Sequence, residues 1–397
     1  MTEKKKNHFY QLPVGYDKPI HLTLIGLTIF GLIMSTSASM GTDAADYVGL
    51  IFTVVKQLAF IGAGYVAMIV LGHIFSFPLC KKYLREIVIG TTILLLMTLL
   101  FREVGGARAW IRIPIGGREM TIQPSEFAKI SIMVIMATFL GDVENQHVSF
   151  EELIKRPLGF VLLFVFIVWI LQSDLGSAVV MSAIAAVCFL IPKHKVLSRA
   201  QLHLLLTVLG ALGLIVLIVI TPLRNVILNA ESDFYMVRRV TSALNPFMDK
   251  YGSGFQLIKG LISFATGGLT GVGIGASIQK YTNFPAASTD YVLAIIVEET
   301  GILGFIGVFG GYMLLIMRLF NYAKRIESEK AKMVLIGTAF YLFVHFVFNV
   351  GGVTGLIPLT GVPLLLMSSG GSSTMSFMMA IGVCQAVICQ YRTGRIK

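Results

Sequence analysis

The chain has 397 residues, 55% hydrophobic and 13% charged, with a formal net charge of +11. Soluble domains carry roughly 25% charged residues, so this composition excludes a conventional cytosolic enzyme, a disordered chain and a disulfide-stapled secreted domain. The length suits a bundle of about ten helices of ~20 residues, the run needed to cross a bilayer. The positive charge flanks apolar runs, which fits membrane topology and anionic lipid rather than nucleic acid.

The first 18 residues are polar and basic (Lys4, Lys5, Lys6), lack a signal peptide's apolar core, and are expected to form a cytosolic tail. Ten apolar runs follow at 21–41, 49–75, 86–101, 124–140, 158–171, 175–191, 202–221, 291–319, 334–353 and 373–389. They predict an all-α integral membrane protein of about ten spans, a single polytopic domain over 1–397. Only Gln172, Ser173 and Asp174 separate the fifth run from the sixth, so these form a tight helical hairpin. Basic clusters recur at alternate turns: Lys81, Lys82 and Arg85; Lys155 and Arg156; Lys193, Lys195 and Arg199; Arg318, Lys324 and Arg325; Arg392 and Arg395. Placing them inside puts both termini in the cytosol. Cys80, Cys188, Cys384 and Cys389 lie in or beside apolar runs without metal-site spacing and read as small buried hydrophobes.

Two segments on the opposite face also carry basic residues, which suits an anionic ligand there. The loop 102–123 holds Arg102, Arg108, Arg112 and Arg118. The large extracellular loop 222–290, between spans seven and eight, holds Arg224, Arg238, Arg239, Lys250, Lys259 and Lys280. Inside it, Leu257, Ile258, Leu261, Ile262 and Ala265 recur at helical spacing and predict a helix lying in the membrane interface. Gly271, Gly273 and Gly275 follow, with no predicted strand before them, so a hinge or close backbone packing fits better than a dinucleotide loop.

Ionisable residues within spans cost roughly 2.5–3.5 kcal/mol each on insertion scales. Glu126 and Lys129 share a helix face, so an ion pair that fixes packing and a place in a binding site both fit them. Asp174 has the position of a helix cap. Glu298 and Glu299 are adjacent, so only one is expected to face the interior. Lys56, His345 and Asn349 suit helix-packing hydrogen bonds. Asp290 stands at the outer mouth of the eighth span, after Pro285 and Thr289. Ionised there, it can act as general base or hold a divalent cation against phosphate; a helix cap is the simplest structural alternative.

Several motifs, in order along the chain, resemble the SEDS family of bacterial shape, elongation, division and sporulation proteins. Gly106-Ala107-Arg108-Ala109-Trp110-Ile111 is similar to its GA-x-R-W-I stretch, and Gln123-Pro124-Ser125-Glu126-Phe127-Ala128-Lys129 to its QPSE-x-x-K. Gln172-Ser173-Asp174-Leu175-Gly176-Ser177 resembles QPDLGT, and Thr289-Asp290 with Glu298-Glu299 and Gly301 resembles TDF followed by EE-x-G. Gly355 to Pro363 and Ser369 to Ser373 resemble GLLPxTGxPLPxxSxGGSS. Gly273, Gly275, Ser277 and Lys280 place the likeness nearer the FtsW and SpoVE branch than RodA. Ala286, Ser288 and Ala109 depart from the pattern, where the family has glutamate, histidine and arginine.

The resemblance implies a multi-pass glycosyltransferase of the bacterial cytoplasmic membrane that polymerises lipid II onto a growing glycan strand. It implies Asp290 as the catalytic residue and metal ligand, a divalent cation (Mg or Mn), and a class B penicillin-binding protein transpeptidase as partner within a divisome or elongasome. With the charge pattern it nominates Arg108, Arg112, Gln123, Glu126, Lys129, Asp174, Arg238, Arg239, Lys280, Glu299 and Ser372 as substrate-binding. A lipid II flippase with Glu126, Lys129 and Asp174 as its polar path stays open, although no inverted repeat is visible. So does a non-catalytic scaffold for the transpeptidase. Both predict indifference to loss of the Asp290 carboxylate.

Overall fold

The computed structural model describes residues 12–41, 46–143, 148–220, 235–252 and 254–396. Each of the ten predicted runs carries a helix: α1 (Lys18–Ser39), α2 (Tyr47–Ile74), α4 (Leu84–Met97), α5 (Pro124–Leu140), α6 (Phe150–Phe166), α7 (Leu175–Leu190), α8 (Ser198–Ile220), α11 (Val292–Arg325), α12 (Glu329–Thr354) and α13 (Gly371–Arg392). Short helices α3 (Phe77–Lys82), α9 (Tyr235–Leu244) and α10 (Phe255–Gly267) lie between them. Among the described residues seven helices are long and apolar enough to cross a membrane, α6 only with its π-helical continuation Ile167–Leu171. The chain is therefore a multi-pass helical membrane protein. At 14, 17 and 16 residues, α4, α5 and α7 fall short of that length.

The core lies along α13, which is buried on nearly every side and runs against α2. Glycine permits that approach: a side chain at Gly382 would strike the Met68 backbone, and one at Gly371 the Phe60 ring. Small residues at such crossings let helices gain contact where lipid offers no hydrophobic drive. By contrast, α8 exposes Leu202, Leu206, Leu209 and Leu212, an apolar surface suited to lipid.

Only part of the expected cytosolic tail is described, and that part is not free. Residues 1–11 lie outside the described residues, while Leu12 and Asp17 are buried. Asp17 caps α1 through the Ile20 N–H and accepts from Arg318 (2.5 Å), Tyr322 (2.7 Å) and Arg392 (3.3 Å). Its backbone exchanges hydrogen bonds with the Gln385 side chain at 2.8 and 3.0 Å.

The segment 102–123, expected as a loop, contains a hairpin of β1 (Ile111–Ile115) and β2 (Arg118–Ile122), with Ile111 opposite Ile122 and Ile115 opposite Arg118. Its two-residue turn, Gly116-Gly117, has φ of 57° and 80°, a geometry that glycine adopts without penalty. Arg118 pairs with Asp46, which also caps α2 through the Gly49 N–H, so the hairpin is pinned to the start of α2.

The predicted interfacial helix is α10, but it turns a different face inward. Leu257, Gly260, Ser263 and Gly267 pack against the protein, whereas Ile262 and Ala265 are exposed. A side chain at Gly260 would crowd the Tyr291 ring and one at Gly267 the Val297 carbonyl, so the small-residue stripe, not the apolar one, seats the helix.

Beside it α11 breaks at Gly301 (φ 68°, ψ −168°). The glycine-rich stretch enters the break: Val272 and Gly273 N–H donate to the Glu298 and Glu299 carbonyls (2.9 and 3.0 Å), while Ile302 and Leu303 N–H donate to Gly268 and Leu269 (3.0 and 3.2 Å). Backbone groups orphaned by a broken helix are tolerated at membrane depth only when protein re-satisfies them. Close packing is the role of Gly271, where a side chain would strike the Glu299 carbonyl, whereas Gly273 and Gly275 supply positive φ (107° and 86°).

Removing both arginines (Arg318→Met with Arg392→Met) strands the fully buried Asp17 and is expected to cost about 3–5 kcal/mol. Asp17→Asn leaves two arginines that are 37% and 39% exposed and is expected to cost only about 1–3 kcal/mol. Denaturation midpoints in detergent check the order.

Candidate active site

Asp290 ends a turn that precedes α11. Ala286, at φ 55°, accepts from the Thr289 and Tyr291 N–H groups, both at 3.1 Å, which folds 286–291 back on itself. Tyr291 is buried against Phe284, ring centroids 5.1 Å apart. Tyr291, not Asp290, occupies the N-cap position of α11, and no side chain caps that end. The helix-cap explanation for Asp290 therefore fails.

The Asp290 carboxyl is partly buried, with its Oδ2 beside Gly361. Burial pushes its pKa up to about 6, against the opposing pull of the Arg239 guanidinium and a hydrogen bond from Thr289. Arg239, midway along α9, donates to the Leu359 carbonyl at 2.5 Å. Together with Ser242, Asp249, Gln256, Leu257, Tyr291 and Leu359 it lines a cavity of about 360 Å³, which Asp290 meets through its chain neighbour Tyr291 rather than by lining it.

A second polar group adjoins this one through the segment 355–370. Gln123 donates to Asp174 (2.9 Å) and Ser177 (3.2 Å), and its backbone N–H donates to Ser372 Oγ (3.2 Å). Asp174 caps α7 through the Ser177 N–H at 3.0 Å, as its position predicts. The starts of α5, α7 and α13 therefore converge here. Gly176 lies against the Thr360 carbonyl, Gly361 against Asp290, and Ser369 N–H reaches the Ser288 carbonyl at 2.8 Å. Gln123, Asp174, Ser372, Arg239 and Asp290 are thus gathered in one region.

Four other predicted substrate contacts are instead committed to buried ion pairs. Lys129 meets Glu126 at 2.7 Å, both 1% exposed, with Tyr341 donating to the other Glu126 oxygen at 2.6 Å. The ion pair foreseen for these two residues is observed. Lys280 meets Glu299 at 2.9 Å and also donates to Ser37 (2.9 Å) and the Gly275 carbonyl (2.7 Å). Glu298 is buried too, contrary to the expectation that one glutamate would face outward. Helix α10 and the loop after it supply donors to both: Ser263 of α10, Ser277, Ile278 and Gln279 serve Glu298, while Gly275 and Lys280 serve Glu299.

In the segment 102–123 Arg108 lies 3.9 Å from Glu103 and Arg112 lies 3.3 Å from Glu119. Ala109 is fully buried, which accounts for an alanine there and the charge one position earlier. The Arg238 side chain lies outside the described residues. Among the described residues no three His, Cys, Asp or Glu side chains cluster as a metal site. A single carboxylate beside an arginine is not a resident cation cage. Sequence reasoning gave Tyr291 no role beyond the start of a span; an aromatic directly after the aspartate was its only signal.

The fold and this polar region define a polytopic membrane protein with a chemically equipped site outside its helical core. The chain belongs to the cell cycle protein family of FtsW, RodA and SpoVE, which it matches over residues 18–393. It is 32% identical to stage V sporulation protein E of Bacillus subtilis (strain 168) over 91% of this chain and 93% of that one. It is 30% identical to a probable peptidoglycan glycosyltransferase FtsW of Geobacter sp. (strain M18), over 95% and 98%. Among solved structures it superposes on a chain of a peptidoglycan synthase complex that coordinates polymerization and crosslinking (TM-score 0.70, 25% identity, 95% and 98% covered). The fold is also that of the rod shape determining protein RodA of Thermus thermophilus (TM-score 0.61, 23% identity, 95% and 98% covered).

Lys280→Met strands Glu299 in the interior and is expected to destabilise the protein by about 3–5 kcal/mol. Adding Glu299→Gln should recover part of that loss, as read from unfolding in detergent.

Proposed function

We propose that this protein is a peptidoglycan glycosyltransferase that polymerises lipid II on the outer face of the bacterial cytoplasmic membrane. The observation that carries the reading is a carboxylate held in a desolvating position without a capping role, under the charge of an arginine that lines a cavity. The family membership and the FtsW relatives support the chemistry. The 4-hydroxyl of incoming lipid II attacks the anomeric carbon of the growing glycan, and undecaprenyl pyrophosphate leaves. Attack from the opposite face turns an α-linked donor into a β-linked product. Asp290 receives the hydroxyl proton, and a pKa near 6 leaves it mostly ionised yet basic at neutral pH. Arg239 faces the pyrophosphate with a forked donor set.

The finer assignments belong to the same proposal. Ten spans with both termini cytosolic agree with the basic clusters and with the ten helices. The likeness to the synthase complex supports a class B penicillin-binding protein transpeptidase as partner, and a divisome or elongasome setting follows from that. A divalent cation at Asp290 would draw its remaining oxygen ligands from the substrate's phosphates. Arg108, Arg112, Gln123, Asp174, Arg238 and Ser372 stay as proposed substrate contacts.

The test is polymerisation of purified lipid II by the detergent-solubilised protein with its transpeptidase. Asp290→Asn should abolish polymer; polymer from that variant would refute the assignment. Lipid II translocation without polymer would favour a flippase, and neither activity a scaffold. Because the base must be ionised, kcat should fall as the pH drops through about 6. Arg239→Ala removes the charge that holds this pKa down, so the acid limb should move to higher pH. Chelation should lower the rate; an unchanged rate would remove the cation from the scheme.

A further inference from the structure

Two buried side chains one turn apart on α12, His345 and Asn349, take no part in the chemistry above. Asn349 Nδ2 donates to the backbone carbonyls of Asp290 (2.8 Å) and Val362 (3.1 Å). The opposite amide orientation would aim an oxygen at two carbonyls, so the hydrogen-bond pattern fixes it. Below it, Lys129 Nζ lies 2.9 Å from His345 Nε2. A lysine ammonium can only donate, so Nε2 is the acceptor and the imidazole proton sits on Nδ1, which donates to the Pro363 carbonyl at 3.0 Å. Helix α12 therefore grips two successive carbonyls, Val362 and Pro363, and the upper grip also holds the Asp290 backbone.

These carbonyls belong to the strand of chain that walls the carboxylate. Gly361 lies against Asp290 Oδ2, and Leu359 receives Arg239. We infer that Asn349 is a positioning residue that fixes Asp290 relative to the 359–363 segment and thereby to Arg239 and the cavity. The inference rests on the reading of Asp290 as the catalytic base. Displacement of a reacting group by about 1 Å can cost on the order of 100-fold in rate, so the effect belongs in kcat rather than in substrate affinity.

Two near-isosteric variants test it in the lipid II polymerisation assay, with Asp290→Asn and wild type alongside. Asn349→Leu keeps the volume and removes both donors; kcat should fall about 100-fold with KM changed less than about twofold. Asn349→Asp, protonated in this buried place, keeps one donor and should fall between the two. Restoration of part of kcat by that variant is a result that a purely packing role would not give. A kcat for Asn349→Leu within about threefold of wild type would overturn the inference, as would equal losses in both variants or loss of folded protein in both. If Asp290→Asn itself polymerises, the reading of Asp290 falls first. If Asp290→Asn is dead while Asn349→Leu is fully active, only the positioning role falls.

Discussion

Everything near the candidate site depends on how a broken membrane helix is kept satisfied. The half of α11 between Val292 and Gly301 carries Asp290 just before one end and Glu298 and Glu299 at the other. Both glutamates are buried, and a buried carboxylate is tolerable only with donors around it. The glycine-rich loop provides them and at the same time bonds to the backbone exposed by the break. Lys280 supplies the charge and Ser37 of α1 ties the assembly to a distant helix. The short half-helix is thereby held at its inner end, and its outer end can present a turn whose conformation is set by packing rather than by helical continuity.

Set against those carboxylates, Asp290 stands apart. Asp17, Glu126, Glu298 and Glu299 each accept several hydrogen bonds or a short ion pair from the chain itself. Asp290 is held mainly through its backbone, by Asn349, and its carboxylate is left in a setting that disfavours charge. Folding alone gives no reason to place an acid there. The buried lysines are likewise committed to ion pairs, and Arg239 is anchored on the Leu359 carbonyl while it lines the cavity.

Much of this was legible in the sequence, for identifiable reasons. Helices announced themselves because apolar runs long enough to span a bilayer have few other uses. Asp174 and the Glu126–Lys129 pair were readable because their partners lie within three residues. The hairpin left a signal, isoleucines alternating up to Gly116-Gly117, that was masked by Arg112 and Pro114 between them. Lys280 misled because an isolated charge in a long loop looks available, and Glu299 because a carboxylate inside a span does. Their partners include Ser37, 262 positions from Glu299, and no local pattern encodes that. The inward face of α10 was not readable for a related reason: its glycines pack on a neighbour's side chain and backbone, which hydropathy does not encode.

The network around Asp17 bears on the order in which the protein can be made. Asp17 lies near the start of the chain, but its partners Arg318, Gln385 and Arg392 arrive only with the later helices. While the ribosome is still translating, the first helix has its cap but none of the charges that compensate its burial. Closure of this end of the bundle is therefore a late event, and it joins sequence positions 368 apart. Contacts so distant in sequence are slow to form and leave unpaired surfaces exposed meanwhile. The last helix thus completes the seating of the first, so a chain halted before α13 lacks the contacts that anchor its own beginning.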